Sequence, residues 1–583
     1  MLAAIVAALV AASAPAATSS VNVSMSVLSQ TSITPGTCTT GSAGITSFGT
    51  VQPGTTFVAA DCTIGFGSSN DTSRLLLSQQ DGAGAAMFRF GDGELRTSFG
   101  GGGTGLVTHE PGGTDFTEEV VRQSTGRIVT GGYSTQATNR VITIGGFTST
   151  GALDTTFGTS SGYTHIDLGA NESVKSMVIY PDDSILLGGE VDNGATNYDY
   201  FMIRLLPNGT PDPGFGTGGV VERHLTGYDS IEGLSLLPDG RILATGETGN
   251  DIALYRFEAD GDPDPTFAVN GLRTVNSGSN DQGSGIAIAS DGTIIVAGHT
   301  QGVRYDWTLV RFDASGTVLS TTITPLGASA NSYAYQPFVL STGHVIAIGV
   351  SQPTAGDTDF TAVRYTAAGV VDTAWGTNGV VTRAFASGGS EAPLTRLQLP
   401  VDEFLIGGNV NTGSNRWFAS KFRANGTWDD RFGTNGSLVM TSHVGSMTGA
   451  AHDVDGRVIL AGSGNSGITL GMLDALPVAD YADTGAVGDT DWTTGANTFG
   501  ACLRAKTGAN VVPTWGMTGA CGVDDNDPWM PIAATTGAAG AEVARTNLAA
   551  ATGSVTLRFG VRTALTQRPG TYVAPVTVSV LAP

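Results

Sequence analysis

The sequence predicts an all-β protein, a seven-bladed β-propeller inserted into a β-sandwich assembled from the N- and C-terminal segments. Three observations carry this expectation. A four-strand pattern returns seven times through the middle of the chain. Glycine, at 84 of 583 residues, is abundant enough to serve a tight turn in every hairpin. The flanks on either side show strand patterns without the repeat, and each is too poor in strands to bury a core alone.

The repeat is clearest from Tyr200 to Gly246. An alternating strand ends in Asn-Gly or Asp-Gly and is followed by an Asp-x-x-Phe-Gly turn. A Gly-Gly-Val-Val strand, an apolar strand, an Asp-Gly hairpin and a strand closing on Gly-Gly or Ala-Thr-Gly complete it. That makes four strands per copy, and a repeat of this length fixes the architecture. The hairpin strands begin at Gly126, Asp183, Gly240, Gly292, Gly343, Asp402 and Gly456. The aromatic-Gly turn recurs at Phe99, Phe157, Phe215, Trp375 and Phe432, is weakened at Phe267-Ala268, and is worn between Leu319 and Ile323. Seven four-stranded units can close into a ring with only short edges, which an open solenoid without polar capping repeats cannot do. The expected domains are therefore 17–87 and 476–583 as two halves of one sandwich, and 88–475 as the propeller. An eighth copy of the closing strand, Ala86–Phe90, is surplus to seven blades and is assigned to the crossing into the ring.

Residues 1–16 read as a signal peptide, an apolar run ending in Ala14-Pro15-Ala16, although no Lys or Arg precedes the run. No later segment carries the roughly 20 apolar residues of a membrane-spanning helix. Export and four cysteines outside the repeats, Cys38, Cys62, Cys502 and Cys521, predict disulfides. Cys38–Cys62 with Cys502–Cys521 is the local pairing, and three connectivities stay open. A net charge of −23 with no Lys/Arg run excludes a basic face for nucleic acid or anionic membrane.

The ordered pattern of Asn/Asp-Gly, Asp-x-x-Phe-Gly-x-x-Gly and Asp-Gly-x-Ile-x-x-x-Gly-Gly resembles the bacterial delta-60 repeat. The resemblance covers roughly Phe88 to Ala475, and it implies a propeller of unknown function on exported proteins with no catalytic residues to carry over. Together the flanks resemble the β-sandwich domains of spore-coat-U-type bacterial surface proteins. That likeness rests on Cys38, Phe48-Gly49, Pro53-Gly54, Cys62 and Pro569-Gly570-Thr571-Tyr572.

Candidate chemistry is sparse. A cation precedes the turn glycine by five residues at Arg204, Arg256, Arg311, Arg364 and Lys421, and Asp212, Asp264, Asp372 and Asp429 follow it in four copies. A pair that recurs in most copies does a job common to all of them, here tying a strand to its following turn. His109, His165, His224 and His443 follow their turns at unequal offsets, which argues against a shared metal ring. The oxygen-rich runs Asp524–Asp527 and Asp260–Asp264 are the candidates for calcium, against solvated turns, and no other cofactor is expected. The expected function is an exported, non-enzymatic scaffold, secreted or at the cell surface, binding a glycan or protein. The alternative is a polysaccharide hydrolase or lyase using carboxylates outside the repeat consensus, Asp115, Glu118, Glu119 or Glu391, at one mouth of the ring.

Overall fold

A computed structural model of the protein describes most of residues 91–480 apart from short loops, and beyond them the strands named below. Side chains are described between residues 93 and 474. Residues 1–16, Cys38, Cys521 and Asp524–Asp527 lie outside the described residues, and of Cys62 and Cys502 only the backbone strands are described. Every element of the described chain that extends is a β-strand.

The chain divides into two compact units. One is Gly91–Asp453 with Arg457–Asp474, and the other joins Met1–Phe90, Val454–Gly456 and Ala475–Pro583. In the latter, strands from the two flanks are hydrogen-bonded to each other. Ala17–Val27 runs antiparallel to Gly570–Leu581, and Val58–Gly67 runs antiparallel to Thr552–Arg562, whose other edge takes Thr498–Thr507. The surplus strand, Ala85–Leu95, pairs with Gly570–Leu581 through Phe88 and Arg89.

The larger unit is a succession of propeller-like blades. Five separate sheets of four antiparallel strands follow in chain order, each innermost strand first. These innermost strands are Thr114–Arg122 in sheet 1, Asn171–Ile179 in sheet 2, Asp229–Leu236 in sheet 3, Asp281–Ile288 in sheet 4 and Ser332–Val339 in sheet 5. Sheet 6 is Glu391–Leu399, Glu403–Asn411, Asn415–Arg423 and the front of Ser437–His452. The rear of that long strand pairs with Val458–Gly464, which pairs with Gly467–Asp480. Gly467–Asp480 in turn takes Leu106–His109 from the start of the unit, Ile468 opposite His109 and Gly471 opposite Leu106.

Each sheet is apolar on both faces, so its core is shared with its neighbours. Val121, Val129 and Ile142 of sheet 1 pack with Val174, Leu187 and Phe201 of sheet 2. Phe99, Val120 and Ile128 pack with Ile459, Ile468 and Leu470, so the last strands bury against the first. Polar contacts between innermost strands follow the same cycle. Gln336 Nε2 donates to the Ile286 carbonyl at 3.1 Å, Gln398 Nε2 to Val339 at 3.3 Å and His452 Nε2 to Gln398 at 2.9 Å. Thr448 Oγ1 donates to the Thr117 carbonyl across the join.

Two glycine positions explain the repeat consensus. The glycine that closes the second strand lies against an innermost-strand carbonyl. A Cβ on Gly132, Gly189, Gly246, Gly298, Gly349 or Gly462 would overlap the carbonyl oxygen of Phe116, Ser173, Ser230, Gln282, Tyr333 or Ser446, respectively. The Asn/Asp-Gly glycine adopts positive φ, +91° at Gly261, and a Cβ there would meet Phe215 of the preceding sheet at 2.8 Å. The aromatic of each turn is thus a floor for the next sheet's hairpin.

Gly246→Ala is expected to cost about 1–3 kcal/mol through overpacking against backbone that cannot rotate away. Gly102→Ala, whose Cβ would meet nothing within 4 Å, should leave the urea midpoint unchanged. Equal midpoints for the two variants would refute the close-approach account.

Candidate functional site

The close approach at the closing glycine coincides with a β-bulge in the innermost strand. In sheet 3, Ile231 pairs with Gly246 and Gly233 with Thr245, leaving Glu232 as an extra residue. The same shift leaves Glu118 extra in sheet 1, Lys175 in sheet 2, Ser284 in sheet 4 and Tyr335 in sheet 5. It leaves Thr448 extra in the strand that closes the cycle, and in sheet 6 residues 393 and 394 stand opposite the single Gly408, a gain of one as elsewhere. A bulge re-aims the side chain it carries. The consensus therefore builds one platform several times over and leaves its presented residue free to differ.

These residues share one space. Glu118 of sheet 1 feels both Lys175 of sheet 2 and Glu232 of sheet 3, and Glu119 feels Arg396 of sheet 6. Arg396 stands where the pairing puts Val120, Met177, Leu234 and Ile286 in other sheets, with its guanidinium 5.0 Å from the Tyr335 ring. Lys175 Nζ lies 3.0 Å from Glu190 Oε1, and Tyr228 donates its hydroxyl to the other oxygen of Glu190. Gln282 Nε2 reaches Glu232 Oε1 at 3.5 Å.

Desolvation governs the ionisation of this belt. Burial pushes the Glu118 carboxyl up to about 7 against the pull of Lys175 and Arg140. Burial pushes Glu119 up to about 8, with Arg396 opposing and Glu118 adding to the rise. Glu247, on the second strand of sheet 3, is pushed up to about 8 by burial and then by Glu232, Glu190, Asp281 and Asp229. Glu232 is raised by burial as well. For Lys175, burial works against the charge, but Glu232, Glu190 and Glu118 outweigh it and the ammonium pKa rises. The belt thus holds carboxyls that exchange protons near neutral pH beside a lysine that stays charged.

The structure separates the four carboxylates singled out from sequence. Glu118 and Glu119 lie in the belt. Asp115 does not, and it is not outside the repeat: Asp115, Asp229 and Asp281 occupy one recurring place at the head of the innermost strand. All three are buried, and they accept from Ser134, Thr248 and Thr300. Asp229 also accepts the Leu225 amide at 2.7 Å, and Asp281 the Gly278 amide at 2.9 Å, so this carboxylate anchors the loop arriving from the previous sheet. Glu391 begins its strand, and its side chain lies outside the described residues.

The cation–Asp pairs are in contact: Arg204 Nε–Asp212 at 2.7 Å, Arg256 Nε–Asp264 at 2.7 Å, Arg364 NH2–Asp372 at 2.7 Å and Lys421 Nζ–Asp429 at 3.7 Å. The arginines do more than tie a strand to its turn. Arg256 NH1 donates to Ala314 O of the next sheet at 2.8 Å and Arg311 NH1 to Ala368 O at 3.1 Å, while the guanidinium of Arg256 lies 4.5 Å from the Phe267 ring. In the Asp260–Asp264 run, the Asp264 carboxylate is used by Thr266, Arg256 and Arg241, which outweigh burial and hold its pKa below the ordinary value. No group of three His, Cys, Asp or Glu suited to a metal ion occurs among the described residues. The histidines are used locally, His109 on the Gly151 carbonyl at 2.8 Å, His165 on Thr143 at 3.1 Å and His224 on Asp199 at 2.8 Å, while His443 packs 4.9 Å from the Trp417 ring.

Sequence reasoning passed over Lys175, Glu190, Glu232, Glu247, Tyr335 and Arg396. The available signal was a place, just ahead of each second-strand glycine's partner segment, that stays mostly polar while changing identity from copy to copy.

Residues 181–215, 237–267 and 289–318 match the family described as "Domain of unknown function (DUF5122) beta-propeller". Three segments of the chain are thus similar to a β-propeller repeat family. The three matched segments fall in sheets 2 to 4, where the turn-and-hairpin consensus is best kept or only partly worn. No curated protein matches the chain. Among solved structures, a protein of unknown function from Dyadobacter fermentans is 16% identical with a TM-score of 0.34, covering 53% of this chain and 96% of its own. The periplasmic gluconolactonase PpgL of Pseudomonas aeruginosa is 12% identical with a TM-score of 0.41, covering 69% of this chain and 99% of its own. Drosophila Semaphorin 1a, extracellular domains 1-2, is 8% identical with a TM-score of 0.36, covering 63% and 88%. Of the belt residues, Glu190 and Glu247 lie within the matched segments, whereas Glu118, Lys175, Glu232, Tyr335 and Arg396 lie outside them.

Two outcomes follow from the charges. Arg256 is 7% exposed and Asp264 fully buried, so Arg256→Ala is expected to cost about 3–5 kcal/mol, read from urea denaturation, because it strands a buried carboxylate. A carboxyl whose pKa rises on folding takes up a proton as the chain folds. Its stabilising share is complete below about pH 4.5 and is lost as pH climbs through about 8 for Glu247. Glu247→Gln should therefore match the native protein in melting temperature at acidic pH. Above pH 8 it should exceed it by at least about 1 kcal/mol, one pKa unit being about 1.4 kcal/mol. A constant difference across the range would refute the raised pKa.

Proposed function

We propose that the protein is an exported or cell-surface binding scaffold. In this reading a seven-bladed propeller is carried as an insertion in a β-sandwich of the two flanks and holds a glycan or protein ligand at the axial belt. The observation that carries it is the bulge position: a repeat that keeps its turns, glycines and Arg–Asp pairs nearly constant presents Glu118, Lys175, Glu232, Ser284, Tyr335 and Thr448 at one register. Recognition needs an asymmetric set of donors, acceptors and rings, and a symmetric scaffold supplies it only where its copies differ. Seven blades are supported by six four-stranded sheets and a seventh set completed by Leu106–His109. The insertion is supported by the hydrogen bonding of Ala17–Val27 to Gly570–Leu581 and of Val58–Gly67 to Thr552–Arg562. Export rests on the signal-like residues 1–16 and the even number of cysteines.

A second reading, a polysaccharide hydrolase or lyase, is favoured by one observation. Glu118 and Glu119 hold carboxyls raised to about 7 and about 8, in the range where one group can give a proton and another accept it near neutral pH. Glycan and protein arrays probed with the full chain and with Glu118→Gln decide between the readings. Capture by the native chain that falls about tenfold or more in the variant supports the binding scaffold. Release of product from a captured glycan, abolished by Glu118→Gln or Glu119→Gln alone, would establish the enzyme instead.

A further inference from the structure

The repeat compares one belt position with the next under nearly identical backbone. In sheet 2, Lys175 is the bulge residue and Glu190 stands on the second strand opposite Ser173. In sheet 3 the corresponding positions are Glu232, the bulge residue, and Glu247, opposite Ser230. The first pair is a closed ion pair, Nζ to Oε1 at 3.0 Å, with Tyr228 donating to the remaining carboxylate oxygen. The second is two carboxyls. Tyr228 precedes the buried Asp229 at the head of its strand, and its counterpart before Asp281 is Asn280. The two partners that satisfy Glu190, an ammonium and a phenol, thus correspond around Glu247 to one carboxyl and one amide.

Glu247 is 6% exposed, and among the described residues no hydrogen bond or ion pair reaches its carboxyl. The groups facing it are Glu232 of its own sheet, Glu190 of sheet 2, Asp229 at the head of its neighbouring strand and Asp281 of sheet 4. Tyr228 and Tyr255 also lie within its field, and no cation is among its principal neighbours; Lys175 is in contact with Glu190 and its charge is shared with Glu232 and Glu118. A buried carboxyl among carboxyls is costly unless a cation joins it. The protein itself shows what this register holds one sheet away: a primary ammonium.

We propose that Glu232 and Glu247 form a binding site for an organic ammonium, a ligand whose primary amine lies between the two carboxyls as the Lys175 amine lies beside Glu190. The inference rests on the reading of the belt as a ligand site and names the charge that the ligand brings. The amine is organic because no trio of ligating side chains suited to a metal is assembled among the described residues, whereas an ammonium needs only two or three acceptors. Tyr228 adds a ring beside the same carboxyls, of the kind that favours cations. Sheet 2 excludes the same ligand by carrying its own ammonium there.

Isothermal titration of the full chain above pH 8 tests this with two probes whose amines stay protonated there, spermidine and hexylamine. N-acetylhexylamine is the uncharged control. At least one amine should bind, its acetylated or uncharged counterpart should not, and Glu247→Gln should weaken it about tenfold or more. Glu222→Gln, an exposed carboxyl on an outer strand, should leave binding unchanged. Glu232→Lys guards against a merely misfolded variant. It rebuilds in sheet 3 the Lys175–Glu190 pair, so it should raise the melting temperature and abolish amine binding together. No binding of either amine up to about 10 mM, or binding that survives both Glu247→Gln and Glu232→Lys, overturns the inference. Array capture that depends on Glu118 in the face of that result would leave the scaffold reading standing, and loss of both would remove the belt as a ligand site.

Discussion

One backbone contact, made again in sheet after sheet, governs the larger unit: a second-strand glycine pressed against an innermost-strand carbonyl. At Gly246 there is no room for a Cβ beside the Ser230 oxygen. The approach lets the innermost strand gain one residue over its partner, and the gained residue, Glu232, cannot lie in the ladder. A bulge leaves its residue unpaired and turned away. Because every sheet places its bulge next to the axis, the contact that looks like a packing detail decides which side chains meet there. Sheet 6 varies the theme. Two of its residues stand opposite the single Gly408, between Ala392 opposite Asn409 and Thr395 opposite Gly407, a gain of one again, but its charged contribution, Arg396, comes from the ladder position beyond.

The sheets are held to one another by a device that works outward of that contact. The turn aromatic of one sheet supports the hairpin glycine of the next, as Phe215 supports Gly261. The arginine above the aromatic joins its own turn aspartate to the next sheet's carbonyl, as Arg256 joins Asp264 to Ala314. Buried pairs of this kind stabilise little against an apolar replacement, but they are unforgiving of a lost partner and so enforce a single register. The last such floor is shared between chain ends. Phe99, from the start of the unit, lies under Gly151, and Phe432 lies under Gly93, so the first turn of the unit does the work of the missing turn at its end.

The belt runs against this economy. Glu118, Glu119 and Glu247 sit where desolvation raises their pKa values toward and beyond neutrality. A site that served stability alone would carry the Val, Met, Leu and Ile found two residues further along the innermost strands, at Val120, Met177, Leu234 and Ile286. Polar groups kept in a costly place are the mark of a site under functional demand. Their variety from sheet to sheet agrees with that demand, whereas the shared structural task at the strand head keeps a buried carboxylate in four sheets, at Asp115, Glu172, Asp229 and Asp281.

Much of the architecture was legible in the residues because its causes are local. The turn pairs lie eight residues apart, as in Arg204–Asp212 and Arg364–Asp372, and the hairpin glycines and alternating strands are read within a single copy. The repeat then multiplies each local reading. Glu118 and Glu119 were visible as acids breaking the pattern, and Asp115 was misjudged as one of them because its counterparts, Asp229 and Asp281, are evident only once the strands are aligned by their pairing. What the tertiary structure alone decided is of another kind. That Leu106–His109 completes the sheet ended by Gly467–Asp480, that Thr448 donates to Thr117 across 331 residues, and that Glu119 meets Arg396 are outcomes of closing the cycle. Such contacts leave no trace in local periodicity, because they bring together residues whose own strands would form equally well without them.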